Sequence, residues 1–196
     1  MSGALSNSLR YLAFGTPANP ASSGGARAAN KSTLDEDAWV ESSSQVFLEA
    51  GRQNMKAGNF EGAIAQFNQA LDSAAEDEIP EIHYYLADAS SLNGDLRGAW
   101  RHLAGLKPGA SDRWAGDFVL LKAKLLEDSS AYSEAVDWLE ANDLSQDPPR
   151  AQLYFFLLAL GHRGSGDDVN AKKAFAKVES ISADSGLGRA AAELMK

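Results

Sequence analysis

The stretch Gly58-Asn59-Phe60-x-x-Ala63-Ile64-x-x-Phe67-x-x-Ala70-Leu71 returns 36 residues later as Gly94-Asp95-Leu96-x-x-Ala99-x-x-x-Leu103-x-x-Leu106. The same offset carries the alanine on to Ala135 and Ala171. It carries the bulky residue four places further from Phe67 and Leu103 to Leu139 and Phe175. Ahead of each alanine lies a turn position, Gly58, Gly94, Ser130 and Gly166, and seven residues ahead of that a small one, Gly51, Ala87, Ala123 and Ala159. A fixed period of this size belongs to a stack of like units, each burying its apolar face against its neighbours.

Two antiparallel helices joined by a tight turn account for the pattern. A small residue on each helix lets the backbones approach closely, and glycine ends the first helix in a left-handed conformation that other residues reach at a cost. Bulky side chains one helical turn along then fill the space between units. The third unit matches least well, with Ser130 for glycine and Asn142 for a small residue, and the fourth has Asp168 where the pattern wants an aromatic. On these residues the chain resembles the tetratricopeptide repeat family, whose unit is a helix, a tight turn and a second helix, usually about 34 residues long. The resemblance implies an all-α, right-handed α-solenoid of about four helix-turn-helix repeats and a C-terminal capping helix. The period of 36 then asks for slightly longer helices or loops and an altered superhelical pitch.

The period places repeats at about 44–79, 80–115, 116–151 and 152–187, with the cap at 187–196 carrying Leu187, Ala191 and Leu194. Helices are predicted over 46–57 and 61–75, 81–93 and 96–106, 114–128 and 132–142, and 151–163 and 168–181. Pro80, Pro108 and Pro148-Pro149 fall between units, where proline ends or precedes helices. No strand alternation is present in the sequence. Residues 1–33 read as a flexible N-terminal segment ahead of a repeat domain at 34–196. Positions 15–33 are rich in Pro, Gly, Ser and Ala and cannot bury enough apolar surface to offset ordering. Before them Leu5, Leu9, Leu12, Tyr11 and Phe14 make a short amphipathic pattern. Helix is expected from Ser32 or Thr33, ahead of Asp35, Glu36 and Asp37 in the first turn, where a helix favours negative charge. Trp39 and Val40 are placed to cover the apolar end of the first repeat.

Net charge is −9 over 196 residues, with a pI of about 4.8. Residues 1–34 hold Arg10, Arg27 and Lys31 and no acid, which leaves 15 basic and 27 acidic side chains on the rest. An acidic repeat surface argues against nucleic acid, whose phosphates demand a basic one, and against anionic membranes. The same asymmetry favours docking of the N-terminal segment onto the stack, in cis or on a second molecule. The chain has no cysteine, so disulfides, thiolate metal sites and a cysteine nucleophile are excluded. No apolar run approaches the roughly 18 residues of a membrane span. The start lacks the basic-then-apolar layout of a secretory signal. A cytoplasmic location is the expectation, without membrane insertion.

No catalytic constellation, cofactor motif or metal site is read from the sequence, and the expectation is that the chain is not an enzyme. The run Gly161-His162-Arg163-Gly164-Ser165-Gly166 is glycine-rich, but it follows a helix and precedes a repeat turn, the wrong context for a phosphate loop. His83 and His102 fall on the two helices of one repeat, without a third ligand, and read as packing histidines. Asn30-Lys31-Ser32 fits a glycosylation sequon, which matters only for a secreted chain. Asp167-Asp168, Glu127-Asp128 and Glu76-Asp77-Glu78 read as caps and solvated loops.

In the family resembled here the first helix of each unit lines the concave face, where ligands lie. Those helices in register align Leu48, Tyr84, Leu120 and Phe156 in one column. A second column is Arg52, Asp88, Lys124 and Leu160, and a third is Gln45, Glu81, Asp117 and Leu153. An apolar ladder flanked by charges is what a groove for a peptide or amphipathic helix would present, the apolar part supplying affinity and the charges register. Repeats of this family that clamp acidic chaperone tails resemble one another in a set of Lys, Asn and Arg residues. The corresponding positions are Leu48, Arg52, Tyr85, Asp117 and Leu121, of which only Arg52 has the right charge. The expectation is therefore a protein-binding scaffold whose partner is a protein or peptide. The alternatives are a secretion-system chaperone and a self-assembling structural subunit.

Overall fold

The computed structural model describes residues 43–109 and 111–196, and among these every regular element is α-helix. The first unit is α1 (Ser43–Lys56) and α2 (Phe60–Asp72). The second is α3 (Ile79–Leu92) and α4 (Leu96–Leu103), and the third is α5 (Ala115–Asp128) and α6 (Tyr132–Ala141). The fourth is α7 (Ala151–Gly164) and α8 (Asp168–Ser182), followed by α9 (Gly186–Leu194). First helices thus begin at 43, 79, 115 and 151 and second helices at 60, 96, 132 and 168, each series in steps of 36. The main departure from the expected bounds is α4, which stops at Leu103 because Ala104 turns to extended backbone and Gly105 takes φ +82°. The helix start at Ser32 or Thr33, the cover by Trp39 and Val40, and everything expected of residues 1–33 lie outside the described residues.

The turn inside each unit is closed by the backbone in the same way four times. Gly58, Gly94, Ser130 and Gly166 have φ of 74°, 85°, 60° and 85°. The N–H of the residue after each, Asn59, Asp95, Ala131 and Asp167, donates to the carbonyl five residues back at 2.8–2.9 Å. The turn residue itself donates to the carbonyl three back, so the last orphan carbonyls of the first helix are satisfied. The same following residue then caps the second helix. Asn59, Asp95 and Asp167 accept the N–H of Gly62, Gly98 and Asn170, whereas Ala131 has no side chain to do so.

Packing follows from the small residues. Ala63, Ala99 and Ala135 are fully buried and Ala171 nearly so, as are the small partners Ala87, Ala123 and Ala159. A Cβ on Gly51 would lie 2.2 Å from Cε1 of Phe67, so that crossing admits only glycine without a shift. Each helix packs on the next in sequence, and α3, α5, α7 and α9 also pack on one another in turn. A chain of aromatic contacts, Phe67–Tyr85–Tyr84–Trp114–Phe118–Trp138, runs through the first three units with centroid separations of 5.0–6.2 Å. Two cations cap rings of this chain, Arg52 over Tyr85 at 4.7 Å and Lys122 over the terminal Trp138 at 3.7 Å.

The third turn carries two local defects, a non-glycine in the left-handed region and an uncapped helix. Ser130→Gly relieves the first by roughly 0.5–1 kcal/mol. Ala131→Asp supplies the cap that the other units have, stabilising by about 1 kcal/mol. Urea unfolding is expected to show a higher midpoint for each variant and the highest for the double variant; an unchanged or lowered midpoint would contradict this account of the turn.

Candidate functional site

The column Leu48, Tyr84, Leu120 and Phe156 does not line an open groove, and that expectation is corrected. The four are only 1–4% exposed. Leu48 belongs to the core of the first unit, Tyr84 to that of the second, and Leu120 and Phe156 to the core shared by the last two units and α9. The physical reason is that a first helix is flanked by its own second helix, by that of the preceding unit and by the next first helix. Its apolar face is therefore consumed by the stack.

What the first helices bring together instead is a polar layer that bridges them. Ser44 Oγ donates to Glu78 at 2.7 Å, and Gln45 also donates to Glu78. Arg52 donates to Glu81 at 2.8 Å, and Arg113 reaches the same oxygen at 3.4 Å. Arg150 grips Asp117 with two hydrogen bonds of 2.7 and 3.0 Å and Asp147 with a third of 2.9 Å. Gln152 donates to Ser185 at 2.7 Å. The hydrogen bonds to Asp117, the largest effect, and then those to Asp147 hold the Arg150 guanidinium above its ordinary value. Sequence reasoning missed Arg150. Its signal was positional, since it lies one period after Trp114 and two after Glu78, immediately before a first helix.

The second column is partly absorbed by this layer. Lys124 donates to Asp128 at 2.6 Å and to Ser91 at 3.3 Å. Leu160 is half-buried against the last core, so the charges end before the fourth unit. Asp88 is different: it is 7% exposed and its Oδ1 has no hydrogen-bond partner. Burial pushes its carboxyl up to about 7, with Lys124 opposing and Asp117 adding to the rise. Arg52 Nε, in the same column of the preceding unit, is likewise buried without an acceptor. Glu127, near the end of α5, is raised well above its ordinary value, chiefly by burial and then by Asp128. At the start of α3, α5 and α7 the layer opens into two neighbouring clefts of about 220 and 530 Å³. The smaller is lined by Glu81, Arg113 and Trp114 among others and the larger by Arg113, Asp147 and Arg150 among others.

Chemically this surface offers fixed charges of both signs, and beneath it two buried carboxylate oxygens, Asp88 Oδ1 and Glu127 Oε1, have no hydrogen-bond partner. Among the described residues no group of three or more His, Cys, Asp or Glu side chains is placed to hold a metal ion. No described helix is long and apolar enough to cross a membrane. His83 and His102 do meet across their repeat, with Nδ1 atoms 3.1 Å apart. Neither a scan of protein-family models nor a search of curated proteins returns a match to this chain.

Asp88 gives the fold a pH dependence of defined sign. Its folded value lies above the ordinary 3.8, so the native state holds the proton more tightly than the unfolded chain. The penalty of a buried charge is then fully present above about 7 and is relieved as pH falls, by at most ~1.4 kcal/mol per unit. Glu127 acts in the same direction. His102 opposes: burial, then His83, lowers it below 6.5, and its effect enters only as pH falls through that ordinary value. Thermal stability is expected to rise from pH 8 to pH 6.5, and Asp88→Asn to be more stable at pH 8 with a flatter profile. A profile of Asp88→Asn parallel to that of the wild type would contradict the assignment.

Proposed function

We propose that the chain is a right-handed solenoid of the tetratricopeptide type that acts as a non-catalytic scaffold, holding a protein segment along the polar layer of its first helices. The observation that carries the reading is Asp88. A buried acceptor left without a donor costs about 1–3 kcal/mol, more for a charged group, and a fold keeps such a group most readily where a ligand supplies the missing hydrogen bond. Asp88 stands between Arg52 and Lys124 in the register of successive units, which favours an extended peptide that offers donors to Asp88 and acceptors to Arg52. Further support comes from the bridges between Arg52 and Glu81 and between Arg150 and Asp117, which preorganise the layer so that little ordering remains to be done on binding.

A displayed random-peptide library selected against the full chain tests the proposal. Selected peptides are expected to lose roughly 10-fold or more in affinity for Asp88→Asn, the scale of a hydrogen bond to a charged group. They are expected to retain affinity for Ala131→Asp, at the turn of the third unit. Selection that returns no binder, or binders indifferent to Asp88→Asn, would overturn it.

A further inference from the structure

His83 and His102 are the one place among the described residues where two metal-ligating nitrogens from different helices already face each other. Their Nδ1 atoms are 3.1 Å apart, the ring centroids 5.4 Å and the ring planes 32° apart. His83 lies within α3 and His102 near the end of α4, so the contact ties the two helices of the second unit. Both rings are half-buried. The corresponding positions of the third unit hold Val119 and Trp138, whose indole donates to the Val119 carbonyl at 3.0 Å. Packing of this crossing therefore does not require imidazoles, and their presence in the second unit is a property of that unit alone.

We propose that His83 and His102 form a two-histidine clasp for a first-row transition-metal dication, zinc, nickel or copper(II), that pins α3 to α4. Metal–nitrogen bonds of about 2.0–2.1 Å at angles near 90–109° put two ligand nitrogens roughly 2.9–3.4 Å apart. The observed separation falls in that range, so the two helices already hold the nitrogens at the spacing that one ion requires. Both imidazoles must be neutral to bind. Burial first, then the neighbouring His83 and Arg101, lowers His102 and favours the neutral ring near pH 7, against the opposite pull of Asp95. With two protein ligands the remaining positions are left to water or to a donor from outside the chain. Affinity is then modest and follows the imidazole order, with copper(II) above nickel and zinc and no response to magnesium. This inference is independent of the peptide-binding proposal, because the pair lies between α3 and α4 and not on the polar layer.

The test is a titration of the full chain at pH 7.5 with copper(II), nickel, zinc and magnesium chlorides, read by thermal unfolding and by the imidazole NMR signals. One equivalent of zinc or nickel is expected to shift the signals of His83 and His102. At tenfold excess over Kd the melting temperature rises by roughly 3–6 °C. The rise is expected to vanish in His83→Gln and in His102→Gln, to persist in His162→Gln, and to vanish in the wild type and in His162→Gln at pH 5. Absence of a rise in the wild type, its survival in His83→Gln or His102→Gln, or loss in His162→Gln would overturn the clasp. Imidazole signals that answer to pH but not to metal would show that the pair shares only a proton.

Discussion

Everything in this fold depends on one backbone constraint, a left-handed residue placed every 36 positions, at Gly58, Gly94, Ser130 and Gly166. That conformation ends the first helix, satisfies its last carbonyls and turns the chain directly into the next helix. With only the turn between them the two helices must lie antiparallel and close, which is tolerable only where Gly51 or an alanine meets the facing bulky side chain. The stack is then an outcome of repetition. Each unit leaves one apolar flank uncovered, and the next unit in sequence is the nearest thing to cover it.

The stack in turn decides what the surface can be. Because the first helices lie side by side, their large apolar residues join a continuous core, and the polar residues beside them meet across units. Arg52 with Glu81 and Arg150 with Asp117 are contacts between successive units, and they fix the relation of one unit to the next at the loop edge. Such half-exposed pairs contribute little to stability. Their effect is one of register, holding a layer of alternating charge in place around Asp88. The aromatic chain from Phe67 to Trp138 performs the corresponding task inside.

Turns and crossings were readable in the sequence because each imposes a residue type on one position: glycine or a costly substitute at the turn, and alanine at the contact. The helix bounds followed from these within a few residues, except at α4, where Gly105 takes a second left-handed turn that the period does not demand. Burial was not readable in the same way. A column such as Leu48, Tyr84, Leu120 and Phe156 has the same spacing whether it faces an open groove or the neighbouring unit, and α3, α5 and α7 are apolar on most of their circumference. A distinguishing mark lay in the first unit, where Glu49 and Gln53 are exposed while their counterparts Leu121 and Leu157, and Ala89 and Leu125, are buried. Arg150 escaped notice because it follows two prolines in what reads as a connecting loop. The meeting of His83 and His102 was foreseeable from their common unit, but its closeness was not.

Distances between equivalent turns measure the stack directly. The chain has no cysteine, so pairs introduced at the exposed positions Ala57, Ser129 and Ser165 can carry spin labels on an otherwise unlabelled background. With neighbouring first helices about 10 Å apart, the account predicts that the separation from position 57 grows from roughly 20 Å at 129 to roughly 30 Å at 165. A separation at 165 equal to or shorter than that at 129 would mean that the units close around a common centre, and would contradict it.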